Sequence, residues 1–160
     1  MLAFICLLPA AAVAESLPQP SGKVILTVSG NIRNTNGDGV AEFDRAMLEA
    51  LGMTELQTST DWTTGRPVFE GVPANALLEA VGAGGTTARA IALNDYVVDI
   101  PLADFRDYPV VLALKVDGKY MRVRDKGPIW VVYPHEQYEE LKAETFQVRW
   151  IWQLRRLEIQ

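Results

Sequence analysis

The chain has 160 residues, of which 49% are hydrophobic and 22% charged, and its formal net charge at pH 7 is −5. This is the composition of a globular protein, and the length suffices to enclose one sizeable core, so we expect one domain. Lysines and arginines are dispersed along the chain, whereas nucleic acids and anionic membranes require a concentrated basic face, so both are disfavoured as partners.

The N-terminal segment has the pattern of a signal peptide. Residues 2–14 carry no charge and end in Ala12-Val13-Ala14, the small-x-small pattern that signal peptidase cleaves. We predict a signal peptide over residues 1–14 and a mature domain over 15–160, with no membrane insertion after cleavage because the stretch is too short to span a bilayer. The sole cysteine, Cys6, lies in this segment, so the mature domain is expected to lack disulfides, thiolate ligands and cysteine nucleophiles.

The first elements of the mature chain are a strand, a loop and a helix. Residues 23–29 are rich in Val, Ile, Leu and Thr and predict a strand, and residues 30–39 are crowded with Asn and Gly and predict a loop. From Ala41 to Leu51 apolar residues recur at the spacing of one helical face, and Gly52 follows as a stop signal. We therefore predict a helix that starts at Ala41.

The next stretch predicts short extended pieces around a polar loop. Residues 55–59 and 67–69 flank the loop 60–66, and residues 73–81 predict a short helix that begins with proline and is capped by Gly82.

The middle of the chain predicts strands joined by turns. Residues 88–93 and 97–100 read as strands around Asn94-Asp95-Tyr96, and the apolar run 109–116 is typical of a buried strand. Asp117-Gly118 predicts a type I′ hairpin into a strand over 119–123, because both central positions of that turn need positive φ.

The C-terminal part predicts two strands and a short helix. Residues 129–133 predict a strand and residues 136–142 a short helix. In the closing strand Trp150, Trp152 and Leu154 share one parity while Leu157 and Ile159 take the other, which predicts a bulge near Arg155-Arg156. This order of elements indicates an α+β protein.

Two motifs that suggest metal or catalytic chemistry do not hold together in the sequence. Residues 34–39 imitate half of a calcium loop, but Arg45 stands where a bidentate Glu should close it, so we predict a turn that feeds the helix, with Asp38 near its start. The single histidine, His135, follows a proline turn and is expected at the surface. Glu139-Glu140 is interpreted as part of a solvated helix face, and we expect no catalytic residue and no metal ligand.

An ordered set of segments resembles the molybdopterin-binding domain of sulfite oxidases. The set comprises Trp62, FEGVPANALLEAVG (69–82), ALNDYVVDIP (92–101), YPVVLALKVDGKYM (108–121), DKGPIWVVYP (125–134) and a closing Trp-containing strand. The resemblance covers most of the mature chain. It implies a mixed β-sheet with short peripheral helices.

The sequence departs from those enzymes at the metal. Their loop before the first matching segment supplies a cysteine ligand to molybdenum, whereas residues 58–71 (TSTDWTTGRPVFEG) offer only hydroxyls, which are poor substitutes for a soft thiolate. The chain is similar to a small group of exported, cysteine-less proteins with this fold, which bind a reduced pterin and signal to the periplasmic domain of a membrane-bound cyclic-di-GMP-metabolising sensor. The resemblance implies a periplasmic, non-catalytic protein that binds a tetrahydropterin-type ligand and no molybdenum.

Three loops offer what a flat pterin requires, namely a stacking ring and acceptors for its pyrimidinone edge. The candidate ligand-binding residues are Thr60, Asp61 and Trp62 in the first loop, Asn94, Asp95 and Tyr96 in the second, and Arg124 and Lys126 in the third.

Each loop also has a purely structural interpretation. Trp62 could pack in the core, Asn94-Asp95 is a common turn pair, and Arg122, Arg124 and Lys126 alternate as on a solvated strand. The other tryptophans, at 130, 150 and 152, are interpreted as core.

Two other functions stay open at this point. One is a molybdopterin-dependent oxidoreductase or molybdopterin carrier without a cysteine ligand, in which Arg122, Arg124 and Lys126 hold the cofactor's phosphate. The other is an interaction domain without a ligand.

Overall fold

The computed structural model describes residues 16–160, and the predicted signal peptide, with its boundary at residues 14–15, lies outside them. Ten strands occur in the described range: β1 Val24–Gly30, β2 Ala41–Asp44, β3 Thr54–Gln57, β4 Val68–Pro73, β5 Thr87–Ala92, β6 Val97–Pro101, β7 Val111–Val116, β8 Lys119–Tyr120, β9 Trp130–Val132 and β10 Leu154–Ile159. The α-helices are short: α1 Arg45–Ala50, α2 Ala74–Ala80, α3 Leu102–Asp107 and α4 Glu144–Gln147. Two further turns of 3₁₀ helix cover Val123–Asp125 and Glu139–Lys142.

The strands form two sheets of five. The first has the order β2-β1-β10-β5-β6 and is mixed, because β1 and β10 are parallel while its other pairs are antiparallel. In the second sheet, β3 pairs with β4, and β4 pairs with one edge of β7. The other edge of β7 pairs with β9 over residues 111–113 and with β8 over residues 115–116. The α+β class with a mixed sheet and short helices is therefore confirmed.

One hydrophobic cluster contains buried side chains from both sheets. The first sheet contributes Leu26 and Leu157, and the second contributes Phe69 and Trp130, all at most 1% exposed. Burial of such side chains removes about 1.5–3 kcal/mol of unfavourable hydration each, so this shared core is what joins the sheets.

The helix predicted from Ala41 to Leu51 is wrong over its first four residues. Residues 41–44 form β2, which pairs antiparallel with β1, and α1 begins only at Arg45. Asp44 has extended backbone and its carboxylate accepts from Met47 N, which caps the helix there. The loop 30–39 thus feeds a strand, and Asp38 is not at the helix start. Phe43 fitted the helical spacing of the apolar residues in α1 because β2 runs directly into that helix.

The hairpin, the bulge and the remaining predicted strands are confirmed, although several strands end at other residues than predicted. Asp117 and Gly118 have φ of 49° and 76°, and the ladder between β10 and β5 shifts between Leu154 and Arg156. The strand predicted over 119–123 ends at Tyr120.

The helical content of the second half also differs from the prediction. The helix α3 was not predicted, and residues 136–142 form only a 3₁₀ turn, with α4 following. The closing strand begins at Leu154 because Gln153 adopts φ 53°, which breaks the extended run.

A buried carboxylate joins three separate parts of the chain. Asp104 in α3 is 5% exposed, and its Oδ2 accepts from Tyr133 Oη at 2.9 Å and from Arg149 Nη1 at 2.7 Å. Burial, followed by the nearby Asp104 carboxylate, raises the pKa of the Tyr133 hydroxyl well above its usual value, so the phenol stays a neutral donor. Because Arg149 lies between α4 and Trp150, this contact fixes the path of residues 147–152.

We expect Asp104→Ala to lower the free energy of unfolding by about 2–4 kcal/mol, because it leaves the buried Tyr133 hydroxyl and the Arg149 guanidinium without an acceptor. Urea denaturation followed by tryptophan fluorescence measures this loss. The matched control is Asp107→Ala on the same helix, where the exposed side chain should change stability by less than about 0.5 kcal/mol. Equal stability of the two variants would contradict the role of Asp104.

Candidate ligand-binding site

A cavity of about 270 Å³ opens beside the tryptophan cluster. Its inner wall consists of the buried residues Ala92, Trp150 and Ile151, and its rim of the more exposed residues Trp62, Asn94, Tyr96, Gln147, Val148 and Trp152. We call it the aromatic cavity. It lies between the loop 60–66, the turn that joins β5 to β6, and the segment 147–152.

Four tryptophans form a cluster beside this cavity, and three of them, Trp62, Trp150 and Trp152, line it. The Trp62 ring is 37% exposed and lies 5.5 Å from Trp152, 5.9 Å from Trp150 and 6.3 Å from Trp130, measured between ring centroids. These distances and tilted or edge-to-face angles are those of favourable aromatic pairs. Trp130 and Trp150 are buried, as predicted for core residues, whereas Trp152 is half-buried and lines the cavity. The arrangement leaves part of Trp62 available to stack on a ligand.

The loop that carries Trp62 is held in place by Glu136. Its Oε2 accepts from Arg66 Nε at 2.8 Å and Nη2 at 2.7 Å, and its Oε1 accepts from Ser59 N at 3.0 Å and Ser59 Oγ at 2.6 Å. The hydrogen bonds from Arg66 and Ser59 lower the pKa of Glu136 to about 2. Within the loop, Thr60 is 7% exposed and its Oγ1 accepts from Trp62 N at 3.0 Å. Thr60 therefore shapes the turn that presents Trp62.

His135 was predicted to be a surface residue, but it is less exposed than that. It is half-buried, its ring lies 5.2 Å from that of Trp150, and its Nε2 is 3.3 Å from Ser59 Oγ. The Ser59 hydroxyl is also hydrogen-bonded to Glu136, whose low pKa makes it a weak base. The geometry is that of a loop anchor, because neither Ser59 nor His135 lines the aromatic cavity.

The turn between β5 and β6 carries two of the predicted residues to the rim. Asn94 Oδ1 accepts from Tyr96 N at 3.2 Å, and Tyr96 Oη donates to Val148 O at 3.1 Å across the cavity mouth. Asp95 has φ 64° and does not line the cavity; its Oδ1 accepts from Arg155 Nη2 at 2.6 Å. Since Arg155 is the extra residue of the β10 bulge, the predicted bulge supplies the cation that secures this turn.

The third predicted loop lies behind the tryptophans and not on the rim. Lys126 Nζ sits over the rings of Trp130 and Trp152 at 5.6 and 5.7 Å, within the range of a cation–π contact. Arg124 and Asp61 are exposed and outside the cavity lining. Val123–Asp125 form a 3₁₀ turn flanked by Arg122 and Lys126, and not the solvated strand that the alternation of cations suggested.

The structure thus brings three of the eight predicted residues, Trp62, Asn94 and Tyr96, to one cavity. The segment 147–152 is the part of the lining that the sequence did not reveal. Its tryptophans were noticed, but their strand-like spacing pointed to the core, and their proximity to Trp62 depends on long-range packing.

Solved structures give the chain a relative by fold. A sulfane dehydrogenase, SoxCD from Paracoccus pantotrophus, superposes with a TM-score of 0.62 at 20% sequence identity, over 84% of this chain and 37% of that chain. The fold is sulfite-oxidase-like. This chain spans well under half of the length of that enzyme chain, and the low identity makes the likeness one of architecture alone. No family model matches the chain, and neither does any curated protein.

The loop 60–66 places hydroxyl groups, and no thiolate, beside the aromatic cavity. Residues 16–160 contain no cysteine, and in this range no group of three His, Cys, Asp or Glu side chains could hold a metal ion. The hydroxyls of Thr60 and Thr63 in the loop 60–66 lie 2.8 Å apart and hydrogen-bond to each other.

Within residues 16–160, no helix is long and apolar enough to cross a bilayer.

We expect the contribution of Glu136 to the free energy of unfolding to be lost at acidic pH. Because its folded pKa of about 2 lies below its usual value of 4.5, the stabilisation is complete above pH 4.5 and is lost as the pH falls towards 2. Urea midpoints of the wild type and of Glu136→Gln, measured between pH 6 and pH 2, should therefore converge on acidification. A difference between the two midpoints that stays constant with pH would contradict the anchoring role of Glu136. Because both proteins carry the same other titratable groups, the comparison isolates the titration of Glu136.

Proposed function

We propose that the protein binds a reduced pterin in the aromatic cavity and acts as a binding protein without turnover. The supporting observation is that Trp62, Asn94 and Tyr96, which lie on two loops far apart in sequence, line one cavity together with Trp150 and Trp152. Small-ligand pockets are mostly apolar with a few convergent polar groups, and this cavity has that character.

The size and polarity of the cavity favour a flat bicyclic ligand. Its volume of about 270 Å³ is at the lower limit of ligand pockets, which span roughly 300–1,000 Å³, so a pterin ring suits it better than a molybdopterin with its phosphate. The amides of Asn94 and Gln147 can donate to and accept from a pyrimidinone edge. No acidic residue lines the cavity in the described part of the chain, so recognition would rest on amides and stacking, unlike the carboxylate contact predicted for Asp61 or Asp95.

The role of the bound pterin is proposed from the resemblance to exported, cysteine-less pterin-binding proteins. In this proposal the protein works in the periplasm and reports pterin availability to the periplasmic domain of a membrane-bound partner that metabolises cyclic-di-GMP. The open rim supports the idea, because Trp62, Tyr96 and Val148 are 37%, 46% and 52% exposed and a partner could contact ligand and protein together.

We expect Trp62→Ala to weaken the binding of a tetrahydropterin by at least about tenfold, because the ligand loses its stacking ring. Isothermal titration calorimetry under reducing conditions measures the affinity. Tyr120→Ala is the matched control, since Tyr120 is a similarly exposed aromatic residue, 42% accessible, outside the cavity. Unchanged affinity in Trp62→Ala, with the fold intact by circular dichroism, would refute this site.

The alternative, a molybdopterin oxidoreductase or carrier, makes a different prediction about what accompanies the purified protein. We expect mass spectrometry of the extract to find a pterin without the dithiolene and phosphate of molybdopterin, and elemental analysis to find no stoichiometric molybdenum. Stoichiometric molybdenum would overturn the proposal in favour of the alternative. An extract with no pterin, together with no binding in the titration, would favour a ligand-free interaction domain.

A further inference from the structure

A second concave surface lies away from the aromatic cavity and gathers positive charge. This groove, of about 480 Å³, is lined by five cations, Lys23, Arg45, Arg122, Arg155 and Arg156, and we call it the basic groove. No acidic residue lines it in the described part of the chain, and no residue lines both the groove and the aromatic cavity. The sequence suggested dispersed cations, but the fold brings 5 of the chain's 15 lysines and arginines together.

Three of these cations have no carboxylate partner of their own. Arg122 pairs with Asp125 and Arg155 with Asp95. In contrast, Lys23, Arg45 and Arg156 are exposed and make no ion pair within residues 16–160. On a chain with net charge −5, such a cluster produces a local positive field that attracts acidic groups.

Apolar side chains are exposed between the cations. Leu93 and Val123 in the groove are 43% and 52% exposed, and Tyr120 is 42% exposed with Arg45 Cζ 4.2 Å above its ring. A site for a small inorganic anion would be polar throughout, whereas this alternation of apolar and cationic surface fits a chain that carries both apolar and acidic side chains.

The start of β1 forms one side of the groove. Lys23, Val24, Ile25 and Thr27 line it, and the apolar side chains of Val24 and Ile25 are half-buried there. These residues add apolar surface beside Lys23.

We infer that the basic groove binds an extended acidic segment of a partner protein, which places its carboxylates against Lys23, Arg45 and Arg156. Apolar contacts with Leu93 and Val123 supply affinity, and the cations select acidic side chains. The basic groove is a different surface from the aromatic cavity, so the test below can fail without affecting the proposed pterin binding.

The test uses a short fluorescein-labelled peptide that alternates glutamate and valine, with fluorescence anisotropy as the readout. We expect saturable binding to the wild-type protein that weakens as salt is raised, because added ions screen the charges. The double variant Lys23→Glu/Arg156→Glu should reduce affinity at least tenfold. The matched control Arg106→Glu/Lys142→Glu has the same net charge at exposed positions outside the groove and should bind as wild type.

Other probes decide whether the groove selects an acidic peptide. A lysine–valine peptide should not bind, because it carries no carboxylate. Absence of saturable binding, or equal loss in the two double variants, would overturn the inference. So would tighter binding of a single-stranded oligonucleotide or of phosphatidylserine vesicles, since either would identify a different class of partner.

Discussion

The geometry of the aromatic cavity depends on one buried carboxylate. A carboxylate removed from water is several kcal/mol less stable unless it is paired and hydrogen-bonded, so Asp104 keeps Tyr133 and Arg149 in contact with it. These partners lie on different elements, and their convergence ties α3, the end of β9 and the segment after α4 to one point. That segment contributes Trp150 and Trp152, so the cavity wall is positioned by an interaction outside the cavity.

The rim of the cavity is held by surface contacts of a weaker kind. The Glu136–Arg66 pair anchors the loop of Trp62, and the Asp95–Arg155 pair anchors the turn of Asn94. Exposed ion pairs contribute little to global stability, typically 0–1 kcal/mol, but they restrict where a loop lies. The cavity therefore combines a wall fixed by buried contacts with a rim held by exposed ion pairs.

The relation of fold to function is loose in this architecture. A sulfane dehydrogenase has a similar fold at 20% identity, while the loop 60–66 of this chain carries two threonine hydroxyls that hydrogen-bond to each other. A shared fold supplies loops at equivalent places, and the side chains on those loops decide the chemistry. In this chain the loops supply aromatic surface and amides, on which the proposal of a flat heterocyclic ligand rests.

Local patterns in the sequence were enough to determine the α+β class, the Asp117-Gly118 hairpin and the bulge at Arg155, because these follow from residue alternation and turn chemistry between near neighbours. The eight candidate site residues came from the resemblance and not from local pattern alone, and three of them, Trp62, Asn94 and Tyr96, line the cavity. The start of α1 was mistaken, since apolar spacing cannot distinguish a helical face from a strand that leads into a helix. Only the tertiary structure placed Trp152 beside Trp62 and five distant cations in one groove, because such contacts join residues far apart in the chain and arise from packing of the two sheets.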